Sequence, residues 1–322
     1  MKAAVVYGIN DIRVEERPEP SAGPGEIVVR TKAAGICAQD FQIVLEQKLP
    51  AVPGQDLAGE ISAVGAGVRG FAPGEPVAVH PAGLLGQTVD GVYAEYVRIP
   101  EAIVSSGGVV RLNEEMSFED AVLAEPLAWT FAAARADRMR GSQQVLIIGC
   151  GSVGLLHLKT AKWAGCKVMA MDSNPTRLAL AGQMGADHLI SPAKLSEEVL
   201  RCTNGKGAET VIISVPLPEL IDDCIKLTAK GGVCNTCSRE EPTEQAKQAA
   251  AAQGATLTGL CPSSVGDFKK CLQLIQEEAI IVSDMISHRF TLDTLPEAAE
   301  KINNQELLRG VITFSEIVAL AF

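Results

Sequence analysis

The stretch Val145-Leu-Ile-Ile-Gly-Cys-Gly-Ser-Val-Gly154 decides the fold of this chain. An apolar, β-branched run leads into three glycines with the spacing G-x-G-x-x-G, and a helical pattern follows. In such a strand–turn–helix unit, Gly149 permits the tight bend, Gly151 lets a ligand approach the backbone, and Gly154 lets the helix pack close on the strand. The free N–H groups at the helix start favour a phosphate there, so the stretch predicts a dinucleotide site.

Residues around this turn extend the predicted cofactor site. Ser152 and Val153 begin the helix, and Val215 ends the fourth strand of the same domain. A second apolar run ends in Asp172, 18 residues after Gly154. A carboxylate at this place accepts a hydrogen bond from the ribose 2′-OH and repels a 2′-phosphate, so it predicts NAD rather than NADP. Arg177 is the basic residue one helical turn further on, and a simple helix-capping role for Asp172 is the alternative.

Strand and helix patterns alternate on both sides of this turn, which predicts a doubly wound parallel sheet. The predicted strands are Val145–Gly149, Lys167–Asp172, His188–Ser191, Glu209–Val215, Gly232–Cys237 and Thr256–Cys261. The predicted helices are Ser152–Gly165, Pro175–Met184, Leu195–Cys202, Leu217–Ala229 and Thr243–Gln253. Short apolar runs separated by Pro-Gly turns precede this region, and one or two helices and a closing strand, Gly310–Phe314, follow it. We therefore expect an α/β Rossmann domain, residues 127–263, inserted in a β-rich domain, residues 1–126 and 264–322.

Composition limits the functions of the chain. With 322 residues it is long enough for two domains. Its net charge of −11, without a Lys/Arg cluster, argues against a nucleic-acid partner. No apolar run is long enough to cross a membrane, and the nine scattered cysteines are typical of reduced thiols. A cytoplasmic protein that binds small molecules is the expectation.

Several N-terminal motifs resemble those of the medium-chain dehydrogenase/reductase family, in particular its zinc-dependent sorbitol and threonine dehydrogenase branch. They are Gly35-Ile-Cys-Ala-Gln-Asp40, Pro53-Gly-Gln-Asp-Leu-Ala-Gly59, Gly91-Val-Tyr-Ala-Glu-Tyr-Val97 and Ala124-Glu-Pro-Leu127. The resemblance runs nearly end to end and includes Ile286-Ser-His-Arg-Phe-Thr-Leu292. It implies a GroES-like catalytic domain, a homodimer or homotetramer, and hydride transfer between NAD and an alcohol, polyol or ketone.

The chain departs from the family pattern where that pattern places the chemistry. Gln55 replaces the histidine that binds zinc in the family, and Gln39 replaces the serine or threonine that relays the substrate proton. Gln42 stands where a further histidine is often found, while Asp40 is retained. The glutamines indicate a polar substrate that carries hydroxyl or carboxyl groups.

By the same resemblance, three candidate metal ligands remain: Cys37, Asp56 and Glu125. They are one thiolate and two carboxylates, with the Gln55 amide oxygen as a weak fourth donor. An amide is a much poorer zinc ligand than imidazole, so we expect a weakened site. The alternative is that Cys37 is a small buried residue and that the two acids form hydrogen bonds or ion pairs. The cysteine-rich lobe that binds the family's structural zinc is missing from His80–Asp90.

The remaining candidates are weaker. Cys234 and Cys237 form a C-x-x-C pair without a partner pair, so a redox or metal role is not favoured. Of the four histidines, His157, His188 and His288 are interpreted as structural, whereas His80 is a candidate displaced base. The apolar tail, Ile317–Phe322, suits either a subunit interface or a terminal strand.

Three functions are compatible with these features. The first is an NAD-dependent alcohol or polyol dehydrogenase with an altered metal site. The second is a zinc-free oxidoreductase of the same fold, and the third is a catalytically silent protein that binds or senses NAD(H). We favour an enzyme because Cys37, Asp40 and Glu125 are all retained.

Overall fold

The structure is a computed structural model that describes residues 1–8, 11–37, 39–40, 49–216, 220–238, 241–304 and 306–314. It divides into two compact units, Met1–Glu125 with Phe268–Phe322, and Pro126–Asp267. The predicted boundaries were 126/127 and 263/264. Gln42, the apolar tail and the first residues of the predicted helix Leu217–Ala229 lie outside the described residues.

The first unit is built on a seven-stranded, mainly antiparallel sheet and a separate hairpin, as expected for its β-rich pattern. Its strands are β1 (Lys2–Gly8), β2 (Asp11–Glu16), β3 (Ile27–Ile36), β4 (Leu57–Val64), β5 (Pro76–Val79), β6 (Tyr96–Ile99) and β7 (Val109–Arg111) before the second unit, and β14 (His288–Phe290) and β15 (Gly310–Thr313) after it. The sheet order is β14-β15-β3-β4-β5-β7, with β6 also on β3. Its helices are Glu101–Ser105, Phe118–Ala121, Val265–Gln276, which begins in the second unit, and Leu295–Asn303.

One edge of this sheet gathers residues that are distant in sequence. Strand β3 pairs antiparallel with β15 on one side and with β4 on the other. The end of β3 therefore lies beside the starts of β15 and β4. Cys37 follows β3 directly, Asp56 precedes β4, and Arg309 precedes β15. The pairing thus brings these three residues to the same edge.

The second unit contains a six-stranded, entirely parallel sheet in the order β10-β9-β8-β11-β12-β13. Its strands are β8 (Gln144–Ile148), β9 (Lys167–Met171), β10 (His188–Ile190), β11 (Ala208–Ile213), β12 (Thr228–Asn235) and β13 (Thr256–Thr258). The connecting helices are Ser152–Trp163, Pro175–Gln183, Leu195–Cys202, Ile221–Lys226 and Glu244–Gln253, and the helix Ala124–Ala136 leads into the unit. Chain order reverses beside β8, so the predicted Rossmann sheet and the α/β fold class are confirmed.

The junction between the helix Ile221–Lys226 and β12 was predicted wrongly. The helix expected to continue to Ala229 ends at Lys226, and β12 begins at Thr228, four residues before the predicted Gly232. Gly231, with φ of +79°, lies inside β12, where the register with β11 shifts. The glycine pair therefore forms a bulge within the strand instead of marking its start, because glycine adopts this backbone conformation without strain.

Candidate functional site

The glycine turn between β8 and the helix Ser152–Trp163 has the geometry that its spacing predicts. Gly149 has φ of +96°, and a Cβ on it would lie 2.5 Å from Val215 Cγ1. A Cβ on Gly154 would lie 1.9 Å from the Gly149 carbonyl oxygen, so only glycine permits this close packing of helix on turn. A Cβ on Gly151, in contrast, would meet nothing within 4 Å. The open space at Gly151 is what an approaching pyrophosphate requires.

The start of this helix has polar groups that the protein leaves available. Gly151 is the N-cap residue, so no side chain caps the helix. The Ser152 hydroxyl is buried and has no hydrogen-bond partner among the described residues. Val153 next to it is exposed. Unpaired N–H groups, a hydroxyl and the positive end of the helix dipole together fit the phosphates of a dinucleotide.

Asp172 holds the turn from the neighbouring strand. Its Oδ2 accepts a hydrogen bond of 2.6 Å from the Cys150 N–H, and its Oδ1 accepts one of 2.7 Å from the Asn174 N–H. Asn174 is the residue that caps the following helix, through hydrogen bonds from the N–H groups of Thr176 and Arg177. Asp172 is therefore not that helix cap, and its carboxylate lies directly beside the glycine turn. Its role toward the ribose stays a prediction.

Sequence reasoning missed Ser214, which fixes the turn from the end of β11. The Ser214 hydroxyl donates to the Gly149 carbonyl oxygen at 2.7 Å and also lies 3.1 Å from the Ile148 carbonyl oxygen. This serine precedes Val215, whose side chain packs on Gly149. A small hydroxyl residue at the carboxyl end of the strand beside a G-x-G-x-x-G turn was the signal that could have identified it.

In the first unit, Asp40 is the centre of a buried hydrogen-bond network. Its Oδ2 accepts hydrogen bonds from the Cys37 N–H and the Tyr93 hydroxyl, both at 2.8 Å. Its Oδ1 accepts a longer one, of 3.4 Å, from the Gln55 side-chain amide. Burial raises the pKa of Asp40, and these donors partly offset that effect. Gln39 beside it is exposed.

Gln87, which sequence reasoning also missed, fixes the orientation of Gln55. The Gln87 Nε2 donates a hydrogen bond of 2.7 Å to the Gln55 Oε1. The oxygen expected to serve as a fourth metal donor thus already accepts a hydrogen bond, and the Gln55 N–H faces Asp40. Gly54 is required before Gln55, because a Cβ on it would lie 2.4 Å from the Tyr93 ring.

Asp56 and Glu125 form a carboxyl pair beside Arg309. Sequence reasoning did not consider this buried cation. The Arg309 Nη2 donates to the Asp56 Oδ2 at 2.6 Å, and both side chains are at most 6% exposed. Burial raises the pKa of Asp56 well above its usual range, whereas the positive charge of Arg309 lowers it and the nearby Glu125 raises it.

The thiol of Cys37 lies in the same cluster. Burial raises its pKa to about 11, although the positive charge of Arg309 opposes that shift. Burial alone would lower the pKa of Arg309, but the acids around it, Asp56 above all, raise it. The thiol is therefore protonated and the guanidinium charged at neutral pH.

This arrangement does not fit a zinc ion well. Among the residues that the structure describes, no group of three or more His, Cys, Asp or Glu side chains is placed to hold a metal ion. Of the predicted ligands, Asp56 accepts a hydrogen bond from Arg309, and Glu125 lies near Asp56.

The other candidate cysteines and histidines lie in buried or packed surroundings. Cys237 Sγ lies 3.6 Å from His157 Nε2 inside the second unit, and burial lowers the pKa of His157 to about 4. Burial also raises the pKa values of Cys234 and Cys237 to about 12, so neither is a reactive thiolate. His80 is buried, with its ring centroid 5.6 Å from that of Phe268. A base role for His80 stays a prediction.

His188 and His288 both lie at strand starts. His188 begins β10 and is exposed. His288 begins β14, and its Nδ1 lies 3.0 Å from the Ser287 hydroxyl.

No helix of the described residues is both long and apolar enough to cross a membrane.

Known protein families match segments in both units of the chain. Residues 23–110 match the alcohol dehydrogenase GroES-like domain, and residues 152–277 match the zinc-binding dehydrogenase family. The L-threonine 3-dehydrogenase of Symbiobacterium thermophilum is 34% identical over 68% of this chain and 69% of its own length. The sorbitol dehydrogenase of Bacillus subtilis is 27% identical over 72% of this chain and 73% of its own length.

A solved structure of an NAD-dependent alcohol dehydrogenase superposes with a TM-score of 0.84. It is 25% identical, and the match covers 98% of this chain and 100% of that one. The two matching domains, in the same order as the two units, confirm the resemblance inferred from the motifs. The chain belongs to the medium-chain dehydrogenase/reductase family, among its zinc-dependent alcohol dehydrogenase-like members.

Proposed function

We propose that the protein is an NAD-dependent oxidoreductase that transfers a hydride between nicotinamide and a secondary alcohol or polyol, or its ketone. The observation that carries this proposal is the glycine turn, where the open backbone at Gly151, the uncapped helix and the unpartnered Ser152 hydroxyl suit a pyrophosphate. The carboxylate of Asp172 beside it favours NAD over NADP. The family membership supports the hydride-transfer chemistry.

The polar side chains of the first unit support a substrate with several hydroxyl or carboxyl groups. The amide of Gln39 is exposed, whereas that of Gln55 is held between Asp40 and Gln87. Amides both donate and accept hydrogen bonds, as a polyol requires. The relatives named as threonine and sorbitol dehydrogenases agree with this class. The protein is also proposed to form a homo-oligomer, which light scattering in solution would test.

The test of this function has two parts. Titration calorimetry with NADH and NADPH should give tighter binding of NADH. A panel of polyols, hydroxy amino acids and their ketones should then yield turnover, followed by nicotinamide absorbance. Tight NADH binding with no turnover across the panel would favour the silent NAD(H)-binding protein instead. No binding of either cofactor would refute the proposal.

A further inference from the structure

The acid cluster of the first unit, defined as Cys37, Asp40, Asp56, Glu125 and Arg309, already contains a cation. The Arg309 guanidinium lies 2.6 Å from the Asp56 carboxylate and is 4% exposed. Its Nε is buried and has no hydrogen-bond partner among the described residues. A guanidinium can be buried at this cost only if neighbouring acids compensate its charge.

The backbone holds Arg309 in this place. Its carbonyl oxygen accepts hydrogen bonds from the N–H and the hydroxyl of Ser287, at 3.0 and 3.1 Å. Its own N–H donates to the Ser287 hydroxyl at 3.3 Å. Strand β15, which follows directly, pairs with β3, so the guanidinium is anchored beside Cys37 at the sheet edge.

Two of the candidate metal donors, Asp56 and Gln55, already accept hydrogen bonds from neighbouring side chains. The Asp56 carboxylate accepts a hydrogen bond from Arg309. The Gln55 side-chain oxygen accepts a hydrogen bond of 2.7 Å from the Gln87 amide. A divalent ion would have to displace these contacts and overcome repulsion from the guanidinium.

We infer that the acid cluster binds no metal ion. Arg309 instead provides the fixed positive charge that a zinc ion supplies elsewhere in the family. The consequence rests on the proposed function: polarisation of the substrate oxygen must then come from hydrogen-bond donors of the protein, without Lewis-acid assistance. The metal-free cluster itself does not depend on which substrate is turned over.

The first test measures metal content and its effect on stability in the full-length protein. Protein purified without chelator and then incubated with zinc chloride should retain far less than one zinc per chain after desalting. Addition of EDTA should leave the thermal midpoint, Tm, unchanged. Stoichiometric zinc together with a lower Tm in EDTA would overturn the inference. Because neither readout requires turnover, failure here is distinguishable from failure of the proposed function.

The second test is a double-mutant cycle on the ion pair. Arg309→Met should lower Tm by several degrees, because it leaves the buried acids uncompensated. Arg309→Lys should lower it less. The double variant Asp56→Asn/Arg309→Met should regain most of the loss, because both charges are removed together. No recovery in the double variant would refute the role of Arg309 as the compensating cation, whereas the wild-type metal measurement stands even if the single variant does not fold.

Discussion

Replacing Gly154 tests the central structural claim about the cofactor site. In Gly154→Ala the new Cβ would lie 1.9 Å from the Gly149 carbonyl oxygen and 2.7 Å from the Ser214 hydroxyl. Cβ contacts shorter than 3.0 Å are essentially never observed, so the helix Ser152–Trp163 must move away from the turn by about 1.1 Å. The obstacle is a backbone atom of a tight turn, which cannot rotate out of the way as a flexible side chain could.

Two quantities should change in Gly154→Ala. The free energy of unfolding should fall by about 1–3 kcal/mol, the usual cost of overpacking, because Leu155 and Leu158 on the same helix are fully buried and must shift with it. The helix N–H groups would also move away from the phosphate. Loss of one hydrogen bond to a charged group costs about 1.5–3 kcal/mol, which corresponds to roughly 10- to 100-fold weaker NADH binding.

Urea unfolding and NADH titration measure the two effects, and two further alanine variants serve as controls. Gly151→Ala should weaken NADH binding with a smaller loss of stability than Gly154→Ala, since its Cβ meets no protein atom within 4 Å. Gly266→Ala, in the helix Val265–Gln276, would make only an ordinary contact of 3.5 Å, so it should leave NADH affinity unchanged and should not lower stability. Wild-type stability in Gly154→Ala would refute the packing argument, and unchanged NADH affinity in Gly151→Ala would refute the assignment of the phosphate site.

Three further outcomes are expected. Asp172→Ala should weaken NADH binding and raise the ratio of NADPH to NADH affinity in calorimetry, because the carboxylate beside the turn is lost; an unchanged ratio would remove Asp172 from cofactor discrimination. His157, with its pKa lowered to about 4 by burial, binds a proton more readily when unfolded, so stability should fall by up to about 3 kcal/mol as the pH drops from about 6.5 to 4. His157→Gln should flatten that dependence in urea melts, and a profile like that of the wild type would count against it. Tyr93→Phe should cost about 1.5–3 kcal/mol in urea unfolding, because it removes the 2.8 Å hydrogen bond to the buried Asp40; a loss near zero would mean that Asp40 does not depend on that hydroxyl.

The local pattern predicted the second unit well because each of its elements carries its own signal. All six strands of the parallel sheet, and the helix Ser152–Trp163, lie where alternating apolar runs and glycine spacing placed them, with end points that differ by a few residues. The exception is the start of β12, where Gly231 and Gly232 form a bulge. A glycine pair has the same appearance in sequence at a strand end and at a bulge, and only pairing with β11 distinguishes the two.

The acid cluster shows the opposite case. Cys37, Asp40, Asp56 and Glu125 were found because they lie in recognisable motifs, but Arg309 lies 253 residues from Asp56 and in no such motif. Gln87 lies 32 residues from Gln55, in a loop without regular pattern. Neither partner could be assigned before strand pairing was known.

The sequence by itself determined the Rossmann turn, because glycine at three fixed spacings is a local steric requirement that the chain carries with it. It also determined the family, through motifs that lie in short contiguous segments. Only the tertiary structure decided what surrounds the candidate ligands. The antiparallel pairing of β15 with β3 places Arg309 beside Asp56. The charge balance of a buried cluster depends on every charged group in it. The separation of these groups in the sequence does not show that they lie together in the fold.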